Sequence, residues 1–184
     1  MVRDPALARR DVSAPLIVTA ELPPDLHRWA TGLRGAHYPP ERNVLEAHVT
    51  LFHALPPSSE DEVRDRLAMV AAHHARIPAR LEGIMPLGDG TALRLSSPGM
   101  LTLREQLAAQ FHGLLTAQDA HAPRLHITIQ NKVSSQAARK LQHALSAEVA
   151  PRDFVFPGLA LHRYRGGPWA FVKRWPFRAA KSEF

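Results

Sequence analysis

Two tetrapeptides in this 184-residue chain repeat one another: His48-Val49-Thr50-Leu51 and His126-Ile127-Thr128-Ile129. Each alternates a polar side chain with an aliphatic one, which is the two-residue period of a strand. His48 and Thr50 then share one strand face, roughly 7 Å apart, while Val49 and Leu51 point to the other. The same holds for His126 and Thr128. The two histidines stand 78 residues apart, and the same offset, without gaps, pairs Leu67 with Leu145, Leu81 with Leu159, Gly88 with Gly166 and Ala92 with Ala170. A constant register of this kind marks an internal duplication. The repeat is too long for a solenoid unit and suits two similar lobes related by a pseudo-two-fold axis.

The coarse elements follow the duplication. Ala14 to Leu22 reads as a strand, and Pro23-Pro24 opens a helix through Trp29. The first His-x-Thr strand comes after a Tyr38-Pro39-Pro40 loop. Ser58-Ser59, followed by Glu60-Asp61-Glu62, starts a helix expected to run to about Ala75. Leu81–Leu87 and Thr91–Ser96 form a hairpin across Gly88-Asp89-Gly90. The second unit gives a helix over Met100–Leu115, a strand over Leu125–Val133 and a helix from Ser134-Ser135 to about Val149. A closing hairpin spans Phe154–Phe177 across Arg165-Gly166-Gly167-Pro168. The expected fold class is α+β: one bilobal domain over 1–184, with antiparallel sheets around a central cleft and helices outside. Lobe one covers about 14–90 and lobe two about 91–178, with mobile ends.

Composition narrows the function classes. With 45% hydrophobic residues, the chain has enough apolar material for a real core. It contains no cysteine, which removes disulfides, a thiol nucleophile and a cysteine-based zinc site. No apolar run approaches the ~20 residues of a membrane span, and the basic stretch Met1 to Ser13 is not followed by an apolar segment with a small-residue cleavage site. A monomer in the cytoplasm, with no membrane partner, is the expectation. Charge is uneven: residues 1–92 carry a net −2 and residues 93–184 a net +8. A basic half suits a polyanionic partner such as RNA or a phosphate ester, and equally an Arg-rich solvated surface.

An imidazole beside a hydroxyl, presented twice, is a kit for acid–base chemistry on a phosphate. Histidine titrates near pH ~6.5, so one ring can be neutral while another is protonated in the same neutral solution. The neutral ring removes a proton from water or a ribose hydroxyl, and the protonated one donates to the leaving oxygen. Thr50 and Thr128 would donate to the non-bridging oxygens, where charge builds up. The sequence leaves open which histidine is acid and which is base. Continued alternation adds Phe52 to the His48 face, as a base-stacking or core residue. It adds Gln130 and Lys132 to the His126 face, with Lys132 either pairing a phosphate or simply solvated. Tyr164, in the Arg163-Tyr164-Arg165 stretch beside His162, is a further substrate-binding candidate on a strand that lines the cleft or faces water. His53 falls on the face opposite His48. No metal-ligand motif is present. A zinc site built on His48 and His126 would need a third ligand that neither motif supplies.

The paired motifs, each in a strand flanked by helices, resemble the His-x-Thr/Ser-x signatures of the two-histidine phosphoesterase superfamily. Length, spacing and duplication are most similar to its bacterial 2′-5′ RNA ligase branch, over about Ala14 to Phe177. The resemblance implies a bilobal fold with both motifs lining a cleft. It also implies cofactor-free, metal-independent hydrolysis of 2′,3′-cyclic phosphate ends of RNA or nucleotides, with reversible 2′-5′ ligation as a related activity. His48 and His126 would be catalytic, and Thr50 and Thr128 phosphate-binding. The chain departs from that branch after each motif: Phe52-His53-Ala54-Leu55-Pro56 replaces a Leu-Gly turn, and Asn131-Lys132 stands where a cleft arginine is common. The competing reading is a non-catalytic RNA- or nucleotide-binding module that has kept the cleft.

Overall fold

A computed structural model describes residues 13–179. The expected mobility of the chain ends concerns residues outside, or at the limit of, that range. Among the described residues there are eight strands and four α-helices, in the order β1 (Leu16–Ala20), α1 (Pro24–His37), β2 (Val49–Leu55), α2 (Glu60–His73), β3 (Ile77–Pro86), β4 (Thr91–Ser96), α3 (Pro98–Gln110), β5 (His126–Gln130), α4 (Ser135–Glu148), β6 (Arg152–Phe156), β7 (Gly158–Tyr164) and β8 (Trp169–Pro176). Two antiparallel four-stranded sheets result, β2-β1-β7-β8 and β5-β4-β3-β6, neither closed into a barrel.

Helix starts follow from local chemistry. Pro24 occupies the first turn of α1, where its missing N–H is no loss. Ser97 and Ser134 cap α3 and α4 through bonds from the Met100 and Ala137 N–H groups. Ser59 behaves differently from the expected cap. Its hydroxyl donates back to the Pro56 carbonyl at 2.7 Å, and α2 begins without a side-chain cap. Helix α3 stops at Gln110, short of the expected Leu115, and gives way to turns.

The duplication is real in three dimensions, but the sheets are not divided near residue 90. The unit β1-α1-β2-α2-β3 is repeated by β4-α3-β5-α4, followed by β6 and β7. The third strand of each unit then joins the first two strands of the other: β3 pairs with β4, and β7 pairs with β1. The expected Phe154–Phe177 hairpin is likewise split at Pro157. Strand β6 pairs with β3 in the second sheet, and only β7–β8 close a hairpin in the first. Gly88 (φ 53°) and Gly166 (φ 81°), equivalent in the repeat, supply the left-handed backbone of the β3–β4 and β7–β8 turns.

The motif strands β2 and β5 are edge strands of their own sheets and lie against one another. Each edge is covered by the opposite half of the molecule, which spares it from pairing with other chains. From α1, the buried Arg34 donates to the Thr128 carbonyl of β5 at 2.7 Å, and also to the Leu45 carbonyl and Asn43 Oδ1, both at 3.1 Å. From α3, the buried Arg104 donates to the Leu51 carbonyl of β2 at 3.4 Å and to the Asp119 carbonyl. The Asp119 carboxylate, 1% exposed, accepts from the backbone N–H groups of His53 and Ala54 and from His53 Nδ1 at 2.9 Å.

Candidate functional site

The motif strands carry the same irregularity at the same place. In β2, Val18 faces Phe52 and Thr19 faces Thr50, so Leu51 is an extra residue. In β5, Thr91 faces Gln130 and Ala92 faces Thr128, so Ile129 is the extra residue. A bulge puts two residues opposite one and breaks the face alternation beyond it. In both strands His and Thr remain half-buried, whereas the next two residues, Leu51-Phe52 and Ile129-Gln130, are buried.

This shared bulge turns two of the sequence candidates, Phe52 and Gln130, into the interior. Phe52 is fully buried, edge-on to Phe111 (5.4 Å between centroids) with the Arg104 guanidinium 4.5 Å above its ring. It is a core residue and not a stacking platform; burying a Phe side chain is worth about 1.5–3 kcal/mol. Gln130, 8% exposed, receives a hydrogen bond from the Thr91 hydroxyl and is held in the interior. Lys132 lies beyond the end of β5 on an exposed turn, in a left-handed conformation (φ 57°), so strand alternation does not set its direction. Tyr164 ends β7 opposite Trp169 and is 43% exposed; the lining of the cleft described below includes His48 but not Tyr164, Thr50, His126 or Thr128.

His48 and His126 are held in the same manner. Nδ1 of His48 is 2.8 Å from the Glu46 carbonyl, and Nδ1 of His126 is 2.6 Å from the Arg124 carbonyl. A carbonyl only accepts, so Nδ1 carries the proton in each ring and Nε2 is left to the chemistry. The rings are electrostatic neighbours. Burial drives the His48 pKa down to about 4 against the opposing Glu46 carbonyl bond, and the positive charges of Arg34, His162 and His126 push the same way. His48 is therefore neutral throughout the physiological pH range.

Sequence reasoning missed much of the surrounding wall. The Thr19 hydroxyl lies 3.2 Å from His162 Nε2, and burial lowers the His162 pKa. Trp169 packs between the two histidines, 4.5 Å from the His48 ring and 5.5 Å from His162, and Phe171 sits 5.9 Å from His162. These residues line a cleft of about 870 Å³ that opens from His48 along the first sheet. Alternation in His162-Arg163-Tyr164 carried a signal. His162 faces the cleft, while Arg163 turns to the opposite side and grips Glu60 of α2 through bonds of 2.6–2.9 Å. Arg34 gave none: an arginine in a helix reads as solvated until its partners are known. Among the described residues no three His, Asp or Glu side chains converge to hold a metal ion.

A family model, the 2′-5′ RNA ligase superfamily, matches residues 22–168, most of the chain and both motifs. The chain belongs to that superfamily, the two-histidine phosphoesterases. No curated protein matches it in sequence. Among solved structures it is similar to TT0787 of Thermus thermophilus, at 17% identity and TM-score 0.60, covering 90% of this chain and 98% of that one. It is also similar to E. coli LigT complexed with 3′-AMP, at 15% identity and TM-score 0.60, with 91% and 99% covered. LigT complexed with NADP+ gives 16% identity and TM-score 0.59, with 90% and 98% covered. At these identities the structural likeness establishes the two-sheet α/β fold. No helix is long and apolar enough to cross a membrane among the described residues.

Proposed function

We propose that this protein is a metal-independent phosphodiesterase that opens 2′,3′-cyclic phosphate ends of RNA or small nucleotides by two-histidine acid–base catalysis. The observation that carries the reading is the matched mounting of His48 and His126. Both fix Nδ1 on the carbonyl two residues back, both precede a threonine on the same face, and both strands bulge at the next residue. A binding module would have no use for two rings whose Nε2 atoms are both kept available.

In this scheme neutral His48 accepts the proton of the attacking water at Nε2 as its oxygen adds to phosphorus. His126 donates a proton to the ribose oxygen that leaves. Thr50 and Thr128 donate to the non-bridging oxygens as negative charge accumulates. With a ribose 5′-hydroxyl in place of water the same steps, in the same roles, give 2′-5′ ligation; the reverse, in which the 3′-hydroxyl attacks the 2′-5′ diester and the 5′-oxygen leaves, exchanges the two roles. The basic second half of the chain and the complexes of LigT with 3′-AMP and NADP+ favour a nucleotide or short RNA end as substrate.

An oligonucleotide ending in a 2′,3′-cyclic phosphate, incubated with the protein in EDTA, tests the reading. Ring opening to a single phosphomonoester supports it. An inert wild-type protein that still binds the oligonucleotide would favour the binding module.

A further inference from the structure

The cleft beside His48 is built unevenly, and its far end has no part in the acid–base scheme. On the cleft side of β8, Trp169, Phe171 and Arg174 follow one another, because a bulge at Val172 keeps Phe171 and Arg174 opposite His162 and Ala160 of β7. Phe171 is 57% exposed, an unusual state for a phenyl ring in a cleft, and the Arg174 guanidinium lies 5.7 Å from its centroid. Arg174 Nε is 3.1 Å from Glu21 Oε1, whose side chain is only 18% exposed. Glu21 directly follows Ala20, the residue paired with Val49, so the carboxylate sits close in register to His48. Burial raises the Glu21 pKa, with Arg174 opposing, so a hydrogen-bond donor delivered by a ligand would be welcome there.

An exposed ring flanked by one fork of donors and one desolvated acceptor pair has the chemistry of a base-reading pocket. Stacking on the ring is indifferent to base identity. The edge groups are not. Guanine presents adjacent N1–H and N2–H donors, which a carboxylate accepts with both oxygens, beside an O6 acceptor suited to an arginine. Adenine and cytosine offer the carboxylate a single amino group, and uracil a single imide N–H.

We propose that the groove from Trp169 to Arg174 is a nucleobase subsite for the nucleotide bearing the cyclic phosphate, with Phe171 as the stacking platform and the Glu21–Arg174 pair selecting guanine. This rests on the phosphodiesterase reading, and the test separates the two. The four nucleoside 2′,3′-cyclic phosphates are assayed for kcat and KM, and the four 3′-monophosphates for binding by calorimetry, with wild type, Phe171→Leu and Glu21→Gln. The guanosine compound should be preferred by about tenfold or more in kcat/KM. Phe171→Leu should weaken all four by about tenfold, mainly through KM, and Glu21→Gln should cost the guanosine compound most, so that the guanine preference is erased. Equal turnover of all four bases, or a preference that survives Glu21→Gln, overturns the subsite and leaves the phosphodiesterase standing. Guanine-selective binding of the monophosphates without turnover of any cyclic phosphate would uphold the subsite and sink the phosphodiesterase. Absence of both binding and turnover sinks both.

Discussion

The Arg34 guanidinium, 3% exposed and carried by the first unit's helix, donates to the Thr128 carbonyl of the second unit's motif strand at 2.7 Å. The same group holds the Leu45 carbonyl three residues before His48. One buried side chain thus sets the separation of the two histidine strands, and its charge also helps to keep His48 neutral.

Replacing Arg34 with Ala takes the donors from two half-buried carbonyls and an Asn43 oxygen. The expected loss is about 3 kcal/mol or more of unfolding free energy. Lysine cannot reproduce the fork and should recover only part of that stability. Urea unfolding of the two variants checks this, and a change under about 1 kcal/mol for Ala would mean the strap is not needed.

Asp119 should be nearly as sensitive. Its carboxylate satisfies two backbone N–H groups of edge strand β2 and the His53 ring. Burial alone would raise its pKa, but these donors together hold the carboxyl below the usual carboxylate range. Asp119→Ala is expected to cost about 3 kcal/mol. Amide exchange at His53 and Ala54 should accelerate in the same variant.

The pH dependence of stability follows from His48. An unfolded histidine titrates near pH ~6.5, whereas the folded ring resists protonation down to about 4. Between these values the unfolded chain binds more protons, so stability falls as pH drops from about 6.5 to about 4. Asp119 adds a further loss as pH falls through its own lowered folded-state pKa. His48→Gln should flatten the melting-temperature curve over the upper part of this acid range. An unchanged slope would place the ring's proton elsewhere.

Thr50→Val and Thr128→Val keep shape and remove the hydroxyls. Each should lower kcat on a cyclic phosphate by about 10²-fold, in the range of a lost oxyanion donor, with melting temperature nearly unchanged. A purely structural role for the hydroxyls would instead move stability and leave kcat alone.

How much of this was legible in the sequence depends on the range of the interactions. The His-x-Thr strands, the helices and the duplication are written in local periodicity, and all are present. What failed began one residue past each motif. Leu51 and Ile129 are ordinary strand residues by composition, and only their cross-strand partners make them bulges, which sent Phe52 and Gln130 inward. The exchange of third strands between the units is likewise a matter of pairing over long separations, invisible to a period of two or 3.6. His162 and Trp169 lie in sequence far from the motif they surround, and Arg34 gains its meaning only from carbonyls elsewhere in the chain.

The most direct measurement of the two-histidine mechanism is kcat/KM on a cyclic-phosphate substrate in EDTA for wild type, His48→Ala, His126→Ala and the double variant. Each single change should cost about 10²-fold or more, and the double variant should lose little beyond the worse single one, because the two rings act as a unit. A single variant that keeps wild-type activity would contradict the mechanism.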